Sequence, residues 1–412
     1  MYPMKTLKYA IPELVSPAGD WPSLQSAISA GADAVYFGLK ELNMRLAADN
    51  FDALEMGKVM SLLRKNGKKG YLAINTILYE KEVPKVKKML SRAKESGVDA
   101  VIAWDMGVVS LAREFGVPVH LSTQASVANF ESLRFFSRLG IKRVVVAREC
   151  SLADIKDIIA KIKKQKLDCQ VEAFIHGAMC VSVSGRCLLS QYTFRKSANR
   201  GECFQPCRQE YLIKEAAGPN EFIVGKGYLL SPKDLCSIDF IDKIIASGVS
   251  ALKIEGRMRS PEYTQVVTSV YRKAIDAFFK NELSLPLKKA LRKELETVFN
   301  RGFDSGFYFG EPSGEESLLG AHGYEKIFLG EVTNFYNRIS VAEVILRNGS
   351  VSEGDELLVF GKSTASFFLP VLELQIKHRK VKLAHKGDLV GIKTDRPVKP
   401  KDKVFLWRKR KN

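Results

Sequence analysis

The chain has 412 residues, 46% of them hydrophobic, which is enough for two or more globular domains with buried cores. Its amino terminus lacks the basic and then apolar layout of a signal peptide. No segment approaches the roughly 20 consecutive apolar residues of a membrane span. We therefore expect a cytoplasmic protein without a membrane partner. Disulfides do not persist in a reducing compartment, so the seven cysteines are expected to bind a metal, to do redox chemistry or to pack.

The chain is strongly basic, with 64 Lys and Arg against 46 Asp and Glu and a formal net charge of +18. Such a positive potential favours an anionic partner such as nucleic acid. The alternative is that the lysines cover solvated helix faces, as in the segment KDIIAKIKKQK at 156–166. Charge alone leaves both interpretations open.

Short apolar runs typical of strands alternate with helical segments from residue 13 onward. Several helical segments end near a glycine, such as Gly97, Gly116 and Gly140, and the strand runs lack polar alternation. This pattern predicts a parallel sheet that is covered on both faces. The strand candidates are ELVS (13–16), AVYFG (34–38), YLAIN (71–75), AVIAWD (100–105), VHLS (119–122), RVVVA (143–147), QVEAFI (170–175), GYLLS (227–231) and ALKIEG (251–256).

Eight such units close a (β/α)8 TIM-like barrel, which is the α/β fold that we predict for residues 1–259. The surplus strand candidate is assigned to a Cys-rich insertion after strand 7, at 177–226, where the runs at 211–216 and 222–230 can pair as a hairpin. Which candidate lies outside the barrel stays open. An open doubly wound sheet is the alternative, but it normally carries a glycine-rich phosphate turn after its first strand, and SPAGDWP (16–22) has no such pattern.

The pattern changes after residue 259. Ser260 as N-cap and Pro261 at the first helical position begin an amphipathic helix at 260–281, and a second helix is predicted at 285–299. Glycines at 302, 306, 310, 314 and 320 indicate a linker, so that 260–318 forms a helical segment and linker. From 319 to 412, short β-type runs separated by turn signals predict a small β-barrel.

Four cysteines follow strand 7 at the spacing C-x6-C-x15-C-x3-C, namely Cys180, Cys187, Cys203 and Cys207. Four thiolates from one loop system suit either tetrahedral zinc or a [4Fe-4S] cluster. Structural zinc sites usually combine two short C-x2-4-C pairs, and only Cys203 and Cys207 form one here. The wide first spacing therefore favours the cluster, with zinc as the alternative. Cys236 could replace one ligand, whereas Cys150 and Cys169 are interpreted as packing residues.

Polar side chains gather at the carboxyl ends of the predicted strands, which meet at one mouth of a barrel. For general acid–base catalysis we select His176, Glu172 and Glu255. The alternative for each is that it caps a helix or satisfies a neighbouring backbone group. The Cys-rich segment would form a lid over this mouth. The expected substrate-binding residues are Ser16, Asn75, Ser122, Gln124, Arg148, Lys253 and Arg257.

Several of these motifs together resemble the collagenase-like peptidase U-32 family over residues 13–272. They are ELVSPAGD, AVYFG, HLSTQASVAN, EAFIHGAMCVSVSGRCLLS, the C-x3-C pair, SPKDL and LKIEGRMRS. The carboxyl-terminal part resembles the small barrel that forms domain 2 of translation elongation factors. Some members of the U-32 family are named peptidases. Others take part in oxygen-independent hydroxylation of a tRNA wobble uridine, a ribosomal RNA cytidine or a quinone precursor.

The resemblance implies a [4Fe-4S] cluster, because the four cysteines match those of the hydroxylation proteins by position. It also implies prephenate as the oxygen source, and therefore a small carboxylate co-substrate. The leading hypothesis is an iron-sulfur RNA-modifying enzyme with tRNA as its partner, acting in tRNA uridine 5-hydroxylation or in rRNA hydroxylation.

Two alternatives stay open, a U-32 peptidase and a subunit that works with a homologous partner in quinone hydroxylation. Against the peptidase, the sequence has no H-E-x-x-H, no G-x-S-x-G and no caspase-like or papain-like cysteine motif.

Overall fold

The computed structural model of the chain describes residues 9–209, 211–214, 221–224, 231–310 and 324–409. Strands and helices alternate along its first part. They are β1 (Glu13–Ala18), α1 (Trp21–Ser29), β2 (Ala34–Gly38), α2 (Met56–Lys65), β3 (Lys69–Ala73), α3 (Val83–Ser96), β4 (Ala100–Ala103), α4 (Met106–Glu114), β5 (Val119–Leu121), α5 (Phe130–Arg138), β6 (Arg143–Val145), α6 (Leu152–Lys164) and β7 (Gln170–Ala178).

The helices begin at residues whose side chains satisfy the free N–H groups of the first turn. Asp20, Asp105, Asn129 and Ser151 each accept such a hydrogen bond. At the other end of α3, Gly97 adopts the left-handed conformation that stops a helix, with φ of 66°. These local signals explain why the helix positions could be predicted.

The chain continues after β7 with α7 (Leu189–Phe194), β8 (Tyr211–Lys214), β9 (Glu221–Val224), β10 (Asp234–Cys236), α8 (Ile241–Ser247) and β11 (Ala251–Ile254). Strand β11 pairs in parallel with both β1 and β7, so β1 to β7 and β11 form a closed parallel barrel. The predicted (β/α)8 barrel is confirmed, and the alternative of an open sheet is wrong.

The eighth barrel strand is the last strand candidate of the sequence, 251–256. The predicted hairpin is present, because β8 pairs antiparallel with β9. The candidate at 227–231 lies outside the described residues except for Ser231. Strand β10 pairs antiparallel with the end of β7, where Cys236 lies opposite His176, and so extends the sheet beyond the barrel.

The next elements are α9 (Pro261–Phe279), α10 (Leu285–Leu295) and β12 (Phe303–Asp304). Both predicted helices are thus present. Helix α9 packs against α1 and β1, and its Tyr263, Val267 and Tyr271 are buried in the same core as the barrel residues. It therefore occupies the place of the eighth barrel helix, although it falls within the separately predicted segment 260–318. Residues 311–323 of the predicted linker lie outside the described residues.

The carboxyl-terminal part is an antiparallel β structure with its own hydrophobic core. Its strands are β13 (Tyr324–Tyr336), β14 (Val341–Leu346), β15 (Ser350–Ser352), β16 (Glu356–Gly361), β17 (Thr364–Pro370), β18 (Leu374–Ile376), β19 (Arg379–Val381), β20 (Leu383–His385), β21 (Leu389–Lys393) and β22 (Lys403–Lys409). Eight of them form one sheet in the order β17-β16-β22-β13-β14-β21-β18-β19, and β15 pairs with β20.

This β structure packs on the barrel through β17, which contacts α1 and α9. The Ser366 backbone N–H donates to Ser26 Oγ at 3.0 Å, and Lys326 Nζ lies 2.7 Å from Glu262 Oε1. The contact therefore lies on the helical layer around the barrel. Among the described helices, none has the length and apolar character needed to cross a membrane.

Candidate functional site

A cavity of about 370 Å³ opens at the carboxyl ends of the barrel strands. Its wall is built from strand ends and from the Cys-rich segment that follows β7. The selected residues that line it are Asn75, Ser122, Gln124, Arg148, Lys253, Glu255 and Arg257, together with Cys180, Cys187, Cys203 and Cys207. The barrel thus brings together side chains that are up to 182 positions apart in the sequence (75 to 257).

Three selected residues are not among those that line the cavity: Ser16, His176 and Glu172. Ser16 Oγ lies 2.7 Å from Thr268 Oγ1 of α9. His176 is buried beside Tyr271, whose hydroxyl lies 3.3 Å from Nδ1, and burial lowers the pKa of His176 to about 3. A neutral imidazole outside the cavity does not suit the predicted acid–base role. Alternation along β1 turns Ser16 to the face opposite Val15, whereas a register change between β7 and β11 takes His176 off the face that Phe174 shares with the cavity.

Glu172 lies inside the barrel and holds the ammonium group of Lys253. Glu172 Oε1 accepts a hydrogen bond of 2.8 Å from Lys253 Nζ, and Oε2 lies 3.4 Å from Arg143 Nη1. Burial alone would raise the pKa of Glu172, but Lys253 and Arg143 hold it below its usual range. Glu172 is therefore ionised, and it acts on the cavity through Lys253.

Glu255 is the one carboxylate among the described residues that line the cavity. Its Oε1 lies 3.3 Å from Arg45 Nη2, and its Oε2 lies 3.4 Å from Arg148 Nη2. Burial would raise the pKa of Glu255, but the neighbouring arginines, Arg45 first, lower it below its usual value. At neutral pH this carboxylate is ionised, so it can accept a proton and position the two guanidinium groups.

Arg257 is a buried cation, with 3% of its surface exposed. Its Nη1 donates to Asn43 Oδ1 at 3.0 Å, and no carboxylate pairs with it in the part of the chain that the structure describes. Burial lowers the pKa of Arg257 to about 10. A methyl group on Gly38 would lie 2.1 Å from Nη1, so the absence of a side chain at Gly38 makes room for the guanidinium. The charge of Glu255 acts on Arg257 without a direct ion pair, so this guanidinium on the cavity wall is available to a further anion.

The cavity as a whole carries an excess of positive charge. Asp234, which lies behind the wall, is 3.3 Å from both Arg259 and Arg301 and compensates them in part. Arg208 donates to the carbonyl oxygens of Met179 and Pro232. The cations on the wall are Arg45, Arg148, Arg208, Lys253, Arg257, Arg259 and Arg301, against Glu255 alone. The cavity therefore suits an anionic ligand.

One amide donor on the wall has no partner among the described residues. Gln124, 4% exposed, accepts hydrogen bonds at Oε1 from Asn75 Nδ2 at 3.0 Å and from Ser122 Oγ at 3.2 Å. These two bonds orient the amide. Its Nε2 is buried without a hydrogen-bond partner in that part of the chain. Because buried polar groups are normally paired, this N–H group is available to a ligand.

The four cysteines of the lid are free thiols on one wall of the cavity. Burial raises the pKa of Cys207, and the neighbouring thiolates of Cys180, Cys203 and Cys187 raise it further against the opposing effect of Arg208. No three metal-binding side chains of the described residues gather around the position of a single ion. Four thiols on one wall are a donor set that both zinc and an iron-sulfur cluster accept.

The other cysteines lie away from this wall. Cys236, considered as a replacement ligand, is 3% exposed and is not among the residues that line the cavity. Its sulfur lies 4.0 Å from the hydroxyl oxygen of Tyr271. Cys150 and Cys169 are buried within the core of the barrel.

The Cys-rich segment is fixed to the barrel by specific hydrogen bonds. Glu149 accepts from the Ser184 N–H at 2.7 Å and from Ser184 Oγ at 2.9 Å. Arg200 Nη1 donates to Glu82 Oε2 at 2.9 Å. Gly201 has a φ of 94°, and a side chain there would meet the carbonyl oxygen of Asn43 at 2.2 Å. The segment therefore closes the cavity as a fixed wall that contacts several of the loops after the strands.

The sequence patterns did not point to Asn43, Arg45 or Arg208. Asn43 and Arg45 lie in the long connection between β2 and α2, and long loops at the carboxyl ends of barrel strands commonly carry functional residues. The length of this connection is the sequence feature that could have indicated functional residues there. Arg208 directly follows Cys207, so its proximity to the four cysteines could have been read from the sequence.

The model of peptidase family U32 matches residues 19–318. The chain is 43% identical over 401 residues to an uncharacterized protease of Methanocaldococcus jannaschii, covering 96% of this chain and 98% of that protein. It is 37% identical over 407 residues to a collagenase of Porphyromonas gingivalis, covering 97% and 98%. It is 35% identical over 364 residues to tRNA hydroxylation protein P1 of Bacillus subtilis, covering 86% and 85%. Because these matches extend over most of the chain, as the motifs predicted, the chain belongs to peptidase family U32.

Proposed function

We propose that this protein hydroxylates C5 of a uridine in tRNA without O2, with an rRNA base as the alternative target. The observation that carries the proposal is that four thiols and an excess of cations share one cavity. RNA as the substrate class is supported by relatives named as tRNA hydroxylation proteins, among them those of Bacillus subtilis and Escherichia coli at 35% and 30% identity. The formal charge of +18 agrees with a nucleic-acid substrate.

The reaction balances if a hydroxylated small carboxylate, such as prephenate, donates the oxygen. The donor loses a hydroxyl group and gains a hydrogen, while the uridine exchanges its C5–H for C5–OH. No external oxidant is then needed. The cationic wall supports such a donor, since guanidinium groups bind carboxylates through charge-assisted hydrogen bonds.

Within this proposal, Cys180, Cys187, Cys203 and Cys207 hold a [4Fe-4S] cluster, which supplies electron transfer when bound. Arg257 and Lys253 bind the carboxylate of the donor. The free Nε2 of Gln124 donates a hydrogen bond to the donor or to the base. Glu255, the one carboxylate among the described residues of the wall, accepts the proton that leaves C5 and returns it to the donor; the neighbouring arginines keep it ionised and ready to accept.

The test is the nucleoside profile of a strain that lacks the gene. Total tRNA and rRNA are digested separately and analysed by mass spectrometry beside the parent strain. We expect the loss of one hydroxylated nucleoside, which returns when the wild-type gene is restored. Identical profiles in the two strains would exclude the proposal.

A peptidase is the second candidate, because two relatives carry the names protease and collagenase. A cysteine or serine peptidase needs a base beside its nucleophile, and none of the described residues that line the cavity is a histidine. Ser122 Oγ instead donates to the amide oxygen of Gln124. Cleavage of gelatin by the purified protein, abolished by Cys203→Ser, would favour this candidate over the hydroxylase.

A further inference from the structure

The Cys-rich segment has an outer face that is rich in exposed aromatic and apolar side chains. Tyr192 is 82% exposed and Phe204 is 57% exposed. The Phe194 and Phe204 rings lie 5.6 Å apart at 47°. We infer that this outer face binds unpaired RNA nucleotides by base stacking. We call it the stacking face and define it as Arg186, Leu188, Tyr192, Phe194, Arg195 and Phe204.

Packing within the described chain does not account for these rings. No hydrogen bond or ring contact involves the Tyr192 side chain in the described residues, and all six residues from 191 to 196 are exposed. Exposed aromatic rings are the platforms on which proteins stack the bases of single-stranded RNA. Since every base has a flat apolar face, such a platform accepts unpaired nucleotides of varied sequence.

The charge of the segment identifies the partner as a polyanion. Residues 180–208 contain five Lys and Arg and a single acidic residue, Glu202. Lys196 pairs with Glu202, and Arg200 pairs with Glu82. Arg186 and Arg195 are exposed, and neither forms an ion pair within the described chain. An apolar protein surface would bind to the rings but would gain nothing from these cations. In RNA the bases stack on the rings and the adjacent phosphates pair with the cations, so RNA uses both features.

The segment that carries the stacking face also forms part of the cavity wall. Cys180, Cys187 and Leu189 of the same segment line the cavity, and Met258 on its wall is 42% exposed. An RNA strand on the outer face can therefore place one base in the cavity next to the lid. An enzyme that modifies a base requires that base to be unstacked and unpaired. This inference rests on the proposed function, and it adds that the stacking face holds the unpaired nucleotides that flank the target base.

The test is fluorescence anisotropy with a labelled single-stranded RNA and with its fully paired duplex. We expect the single strand to bind more tightly than the duplex. Tyr192→Ala and Phe204→Ala should each raise Kd for the single strand about fivefold or more. Tyr192→Trp should restore binding, since it retains a stacking ring. Arg195→Gln should lower the slope of log Kd against log salt by about 0.7.

Phe135→Ala is the matched control, because Phe135 of α5 is 58% exposed, as Phe204 is, and also contacts one neighbouring phenylalanine. Its Kd should equal that of the wild type. Unchanged thermal unfolding of each variant shows that the fold is intact.

Equal Kd values for the wild type, Tyr192→Ala and Phe204→Ala would overturn the inference. Tighter binding of the duplex than of the single strand would overturn it too. A change of oligomeric state with Tyr192→Ala would also overturn it, because the face would then bind a second copy of the chain. The proposed function fails separately, when deletion of the gene leaves all nucleosides unchanged.

Discussion

Arg257→Met should stabilise the protein and weaken its binding of anions. The folded chain holds a guanidinium that is 3% exposed and has no carboxylate partner in the described residues. A pKa of about 10 in place of 12.5 corresponds to about 3 kcal/mol at ~1.36 kcal/mol per pH unit. Because the folded-state pKa is the lower one, this cost is present at neutral pH and disappears only as the pH rises from about 10 towards 12.5.

Removing the buried charge stabilises the folded state, but the variant also loses the hydrogen bond from Arg257 to Asn43, which offsets part of this stabilisation. Asn43 Oδ1 also accepts the Arg45 N–H at 2.8 Å, so it remains paired in the variant. A hydrogen bond from a charged donor contributes about 1.5 kcal/mol or more. We therefore expect the free energy of unfolding, measured with urea, to rise by about 1 to 2 kcal/mol.

The same variant should lose affinity for a small anion. Calorimetric titration with prephenate, and separately with inorganic phosphate, should show a rise in Kd of about tenfold or more, which is the contribution of one charge-assisted bond. Arg259→Met is the matched control, since Arg259 lies on the same wall but pairs with Asp234 at 3.3 Å and should destabilise the fold when removed. A less stable Arg257→Met variant, or one that binds the anion as tightly as the wild type, would refute this reasoning.

Three further perturbations test other parts of the account. Elemental analysis of anaerobic preparations should show that Cys203→Ser loses iron and sulfide. Cys169→Ala, a change in the core, should retain both. Equal iron and sulfide contents in the two variants would contradict the ligand assignment. Gly38→Ala should weaken binding in the same titration, because its methyl group would lie 2.1 Å from Nη1 of Arg257. Burial raises the pKa of Glu13, but hydrogen bonds and charges, those of Arg143 first, lower it from 4.5 to about 2. Glu13→Gln should therefore reduce stability at neutral pH by about 3 kcal/mol, and urea titrations should show this difference shrinking as the pH falls from 4.5 to about 2.

The barrel could be predicted because both faces of a parallel sheet are buried, which leaves uniform apolar runs such as AVYFG that need no long-range information. The eighth strand could not be identified in the same way. GYLLS and ALKIEG share the same apolar character, and only the pairing of β11 with both β1 and β7 distinguishes them. Closure of the barrel depends on contacts between strands that are far apart in the sequence, so a local sequence pattern cannot show which strand closes it.

The candidate site shows a similar division. The spacing of the cysteines and the polar strand ends pointed to Cys203, Arg148 and Lys253, which line one cavity. The direction of a side chain depends on strand register, and β7 and β11 change register between Lys253 and Ile254. The position of His176 near the strand end predicts a place at the mouth, but this register change leaves the side chain buried against Tyr271. Residues in irregular loops, such as Arg45, have no periodic pattern at all.

The most direct test of the central claim is hydroxylation by the purified protein without air. The protein, prepared anaerobically with iron and sulfide bound, is incubated with tRNA from the deletion strain and with prephenate. Digested nucleosides are then analysed by mass spectrometry. We predict that one uridine gains a single oxygen atom, that the gain requires prephenate, and that Cys203→Ser abolishes it. Unchanged uridines, or an oxygen that is added only when air is admitted, would contradict the account.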